Sequence, residues 1–138
     1  MAKKVKTLSK LKKDLDSIFS KFIRLRNANE DGWVKCVTCI KTDHWKRLQA
    51  GHFISRRHLS TRWDEDNVQV QCYGCNVMQQ GRQFEFSKWL DDKYGAGKSD
   101  ELLQKSRQLK KFDRYELERL HLEYRQEVEY HLNRIGEL

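Results

Sequence analysis

The chain has 138 residues, no proline and a net charge of +8. That length suits one domain of ordinary size. Hydrophobic residues make up 38 % and charged residues 35 %, a balance that excludes one large apolar core and, without a long apolar run, a membrane span. A small metal-stapled centre with amphipathic helices around it fits, because bound zinc supplies folding free energy that a thin core lacks.

The excess charge lies at the start of the chain. Residues 1–26 hold nine Lys and Arg, Lys10 and Lys13 among them, against two Asp. Such a segment attracts a polyanion, most simply nucleic acid; alone it is equally the solvated face of a helix. Leu8, Leu11, Leu15, Ile18, Phe22 and Leu25 recur at steps of three and four, which predicts a helix over residues 7–27. The Asn, Asp and Gly of residues 27–32 stop it. Trp33–Lys35 reads as a short strand entering a first C-x-x-C pair, Cys36 and Cys39.

Residues 49–54 and 68–72 read as two further strands bounding a polar loop, 55–67. The second of them runs into the other pair, Cys72 and Cys75. After Asn76 the chain turns helical, with Phe84, Phe86, Trp89, Leu90 and Tyr94 on one face. Residues 94–97 end that helix, and Ser99 or Asp100 is expected to cap the next one. From about Asp113, Leu117, Leu120, Tyr124, Val128, His131 and Ile135 predict one long final helix. An apolar stripe at each end of the chain implies helix pairing, within one chain or between two. A symmetric homodimer is expected, because two narrow stripes are hard to bury on so small a centre. The chain divides accordingly into a basic amphipathic helix over 1–30, a zinc-stapled core over 31–95 and a helical region over 96–138.

The two pairs hold every cysteine of the chain. Four thiolates so spaced are the donor set of a tetrahedral structural zinc, which keeps no open position for chemistry. Thirty-two residues separate Cys39 from Cys72, more than the roughly fifteen to twenty of a plain zinc ribbon. The first residues lack the apolar core of a secretory signal, so reduced thiolates on zinc in a cytoplasm are expected rather than two disulfides.

His52, Asn67 and Asn76 stand in order around these pairs. An imidazole titrating near neutrality can take a proton from a water that attacks a phosphodiester. A divalent cation would stabilise charge on the phosphate and the leaving oxygen, and Asn76 offers it an amide oxygen. Asn67 is read as fixing the His52 ring through the backbone or a hydrogen bond. The bland alternative makes these a structural histidine, a turn residue and a helix cap. Arg56, Arg57, Arg62 and Arg82, with Lys10 and Lys13, are the candidate phosphate contacts, positioning DNA without reading bases.

The whole order resembles the NinG/Rap family of lambdoid phage recombination nucleases, a branch of the HNH (ββα-metal) group. Residues 22–26, 50–56 and 61–63 carry the resemblance, with Asn67, Gln71-Cys72, Cys75-Asn76, Gly81 and Tyr94-Gly95. It covers residues 8–95, and the C-terminal helix only in general character. The resemblance implies an α+β, mostly helical fold with a small treble-clef centre on a structural four-cysteine zinc, flanked by long amphipathic helices. It also implies His52 as general base, Asn76 as a ligand of Mg2+ or Mn2+, and zinc on Cys36, Cys39, Cys72 and Cys75. The activity implied is structure-specific cleavage of branched DNA, D-loops and Holliday-type junctions included, by a homodimer in the host cytoplasm.

Two departures stand out. Gly51 precedes His52 where many HNH enzymes place a metal-binding aspartate, leaving His58, Asp64, Asp66, Gln80 and Glu85 open as the second ligand. Ile40 follows Cys39 where knuckles commonly have Gly, which implies a different turn. The rival readings are a non-catalytic zinc module that binds nucleic acid and an HNH enzyme that nicks linear duplex.

Overall fold

A computed structural model describes residues 4–138; Lys3, the first basic residue of the N-terminal segment, lies outside the described residues. The fold is α+β and helix-rich. Helix α1 (Leu8–Leu25) starts where the Thr7 hydroxyl accepts the Lys10 amide, as an N-cap should. Strands β1 (Trp33–Lys35) and β2 (Thr42–His44) form an antiparallel hairpin, Trp33 opposite His44. Strands β3 (Gln49–His52) and β4 (Val68–Gln71) form a second two-stranded sheet, Gln49 opposite Gln71 and His52 opposite Val68. Between them lies a one-turn helix, α2 (Leu59–Arg62). Helices α3 (Gln83–Tyr94), α4 (Lys98–Ser106) and α5 (Arg114–Arg134) complete the chain.

The apolar stripes at the two ends meet within one chain. Leu11, Leu15, Phe19, Phe22, Ile23 and Leu25 of α1 share a buried cluster with Leu117, Tyr124 and Val128 of α5, and Tyr124 sits edge-on to Phe19 at 4.9 Å. Each fully buried side chain of this kind contributes about 1.5–3 kcal/mol. The difficulty of burying two stripes, which motivated the expected homodimer, therefore disappears: each stripe is the other's cover. Val34, Val68 and Val70 of the sheets join the same cluster, so the stretches 1–30, 31–95 and 96–138 all contribute to it. Phe86, Leu90 and Leu102 form a smaller core between α3 and α4.

Several local expectations change. The first cysteine pair lies in the turn of the β1–β2 hairpin, and strand β2 had no signal in the sequence beyond three polar residues. The second pair does not open α3 directly. Residues 74–78 make one π-type turn, and a break at 80–82 intervenes before α3. Helix α4 is not capped by Ser99 or Asp100; it starts after Gly97, and Ser99 instead bonds Asp91 with its amide and hydroxyl. Two charges of the basic segment turn inward. Arg24 reaches the Trp45 carbonyl, and Arg26 binds the carbonyls of Glu65 and Val68, fastening α1 to the loops around the sheets.

Candidate functional site

The hairpin turn carries Cys36 and Cys39, and the exit from β4 carries Cys72 and Cys75. Their sulfurs all lie within 4.8 Å of one another, with Cys39 and Cys72 at 3.7 Å. A tetrahedral ion with Zn–S bonds of about 2.3 Å requires S···S edges of about 3.8 Å, so the cluster can bind zinc. Backbone amides of Lys41 and Cys75 point at the sulfurs of Cys39 and Cys72, each at 3.4 Å. Burial works against ionising Cys36, yet hydrogen bonds from Thr38 and from backbone amides outweigh it and bring the thiol down to about 7. Burial pushes the Cys75 thiol up to about 12; an ion binding all four would hold them ionised together. Ile40 needs no left-handed backbone, since among the described residues only Gln80 and Arg82 combine a side chain with positive φ. Its side chain is simply exposed.

Beside the cluster opens a cleft of about 640 Å3 lined by Asp16, His52, Arg56, Asn76, Gln80 and Gln83, among others. His52 ends β3. Its Nε2 lies 2.9 Å from the Arg62 carbonyl, and a carbonyl only accepts, so Nε2 carries the proton and Nδ1 keeps a lone pair. Burial lowers the affinity of this ring for a second proton, keeping it a neutral acceptor near pH 7. Asn76, in the π-type turn, donates its amide to Gln49 Oε1 at 2.7 Å, which leaves its own Oδ1 open. Asn67 is wholly buried. Its Oδ1 accepts the Ile54 amide, and its Nδ2 donates to the carbonyls of Ile54 and Thr61. It braces the loop ahead of Arg62 and makes no hydrogen bond to the His52 ring.

A family model described as Bacteriophage Lambda NinG protein matches residues 1–134. The chain belongs to the NinG family. No curated protein matches it, and no solved structure does. The NinG match extends beyond residues 8–95 to take in α4 and α5.

Within this NinG chain the candidate phosphate contacts scatter. Arg56 lines the cleft, and Arg57 is exposed beyond it, bordering a groove with His58 and Lys110. Arg62 is largely committed inside the fold: one edge of its guanidinium, Nε and Nη2, is taken by Asp16, and the pair is four-fifths buried. Arg82 does not line the cleft either; it faces Glu85 at 3.4 Å and lies beside Cys75. Lys10 is exposed and pairs with Asp14 at 2.9 Å, while Lys13 is exposed on α1. Of the residues left open as second ligand, only Gln80 lines the cleft. Asp64 is tied to Lys105, Asp66 to Lys98 and Glu85 to Arg82. His58 precedes α2, away from the cleft.

Gly51 has a steric cause. A Cβ there would lie 1.8 Å from Gln71 Oε1, so the carboxamide of Gln71 occupies the space a side chain at 51 would need. Gln71 is itself wholly buried, donating to Thr38 Oγ1 at 2.9 Å and to the Gly81 carbonyl at 3.0 Å. Thr38 in turn lies 3.5 Å from the Cys36 sulfur. One glutamine thus links the four-cysteine cluster, the strand bearing His52 and the turn at 80–82. Neither Gln71 nor Asp16 is among the candidates drawn from the sequence. The one trace of Asp16 is its rarity, an acid on the edge of the apolar stripe of a basic helix.

Proposed function

We propose that the chain is an HNH-type endonuclease, built on a treble-clef zinc centre, that hydrolyses phosphodiester bonds of branched DNA such as D-loops and four-way junctions. One observation carries the reading: His52 and Asn76 open onto the same cleft, one with an uncommitted ring nitrogen and the other with an uncommitted amide oxygen. Neutral His52 takes a proton from water at Nδ1 as that water attacks phosphorus. Arg56, at the cleft wall, pairs with a phosphate and orients the strand. The donors left for a divalent ion are hard amide oxygens, which suits Mg2+ or Mn2+, and Asn76 with Gln80 would hold it. Such an ion supplies charge to stabilise the transferring phosphate and the leaving oxygen. Two symmetric cuts in a junction call for two copies, so the working form is a homodimer that uses a surface other than the α1 and α5 stripes.

The test is a Mg2+ and Mn2+ titration of cleavage on forked, D-loop, four-way and linear substrates of equal length. Branched substrates should be cut in preference to linear duplex, more weakly as salt rises. His52→Ala should lower the rate roughly 10²–10⁴-fold while zinc content and DNA binding persist. Inertness of the unaltered chain on every substrate would return the reading to a zinc module that only binds nucleic acid, and equal cutting of linear duplex would favour a nicking enzyme.

A further inference from the structure

We propose that Asp16 of α1 is a positioning residue for His52: it clamps Arg62 so that the Arg62 carbonyl holds the ring by Nε2 and leaves Nδ1 to the cleft. This rests on the nuclease reading for its catalytic consequence. Helix α2 is four residues long, too short to be stable by itself. The carbonyls at its C-terminal end have no partner inside so short a helix. Two of them are taken from outside, Thr61 by Asn67 and Arg62 by His52.

The guanidinium and indole at that end of α2 are fastened from α1, 46 residues away in sequence. Asp16 Oδ1 accepts from Arg62 Nε and from Trp63 Nε1, each at 3.0 Å, and Oδ2 accepts from Arg62 Nη2. A planar guanidinium on a carboxylate by two parallel bonds is rigid in both distance and angle. The neighbouring indole adds a third bond and stacks under the Arg62 guanidinium at 5.0 Å. Asp16 is also the only carboxylate lining the cleft among the described residues, which invites a metal-ligand role. Its oxygens are already engaged by three donors, so it acts through Arg62.

The test compares the zinc-loaded 138-residue chain with its Asp16→Asn variant by two readouts. Long-range proton–nitrogen NMR of the histidine rings, with His52 assigned by its loss in His52→Ala, reports which ring nitrogen is protonated. Asp16→Asn should convert His52 from one tautomer to a mixture, and lower kcat on branched DNA roughly ten- to hundredfold with KM and zinc content unchanged. An unaltered tautomer signal overturns the proposal, whatever happens to kcat. So does a lost kcat that higher Mn2+ restores, which would make Asp16 a metal ligand. If Asp16→Asn does not fold, Arg62→Lys keeps the charge but not the fork and is read the same way. If the unaltered protein cuts nothing, the nuclease reading fails while the ring tautomer still decides the clamp.

Discussion

His52 meets several neighbours whose effects on its charge oppose one another. Burial disfavours the imidazolium most; the Arg62 carbonyl and the Asp16 charge favour it, and the charges of Arg56 and Arg62 oppose it. The net effect is a pKa below the ordinary 6.5. A general base works unprotonated, so cleavage should persist to lower pH than an ordinary histidine would allow, with its acid limb below that value in a pH–kcat profile. The sign for stability follows from the same shift. The unfolded chain binds this proton more readily, so the contribution of His52 is lost as pH falls below 6.5. Gly51 makes a second prediction. With Gln71 Oε1 already at 1.8 Å from where a Cβ would stand, Gly51→Ala should destabilise the protein by about 1–3 kcal/mol in a denaturant titration. Adding Gln71→Ala should recover part of that loss, because the two substitutions share one space.

The elements differ in what holds them. Helix α5 begins with a capping box, Asp113 and Glu116 satisfying each other's amides, and both long helices are recognisable from their periodicity. The β1–β2 hairpin has three residues a side, too little to be stable alone. Its turn is joined to the exit of β4 by the four sulfurs and by the bond from Gln71 to Thr38. Chelation of zinc should therefore free residues 36–41 and 72–82 first, seen as faster amide exchange there than in α1 and α5, and disturb the cleft through Asn76 and Gln80. Equal protection of those segments with and without metal would contradict this. The break at 80–82 had no clear signal in the sequence. Gln80 and Arg82 flank Gly81 with φ of 53° and 47°, and a left-handed backbone at a side chain costs about 1–2 kcal/mol. Backbone bonds from Gln80, Gly81 and Arg82 to the carbonyls of Val77, Cys75 and Gln79 hold it, together with the Gln71–Gly81 bond.

At the scale of the molecule, the basic N-terminal helix is less a free arm for DNA than the central strut of the fold. It is packed on α5, braced to the loops by Arg24 and Arg26, and joined to the cleft by Asp16. Its outward lysines remain exposed to a polyanion. What the residues alone determined are features written in short spans: helical stripes, two cysteine pairs, and a histidine and an asparagine set beside them. Each depends on bond geometry and spacing over a few residues, so each is legible without coordinates. Tertiary structure alone decided that the stripes pair within one chain, that Arg62 pairs with Asp16, and that Gln71 fills the space beside Gly51. Those contacts join residues far apart in sequence through the packing of a shared core, and no local pattern encodes which distant side chain will fill a given volume.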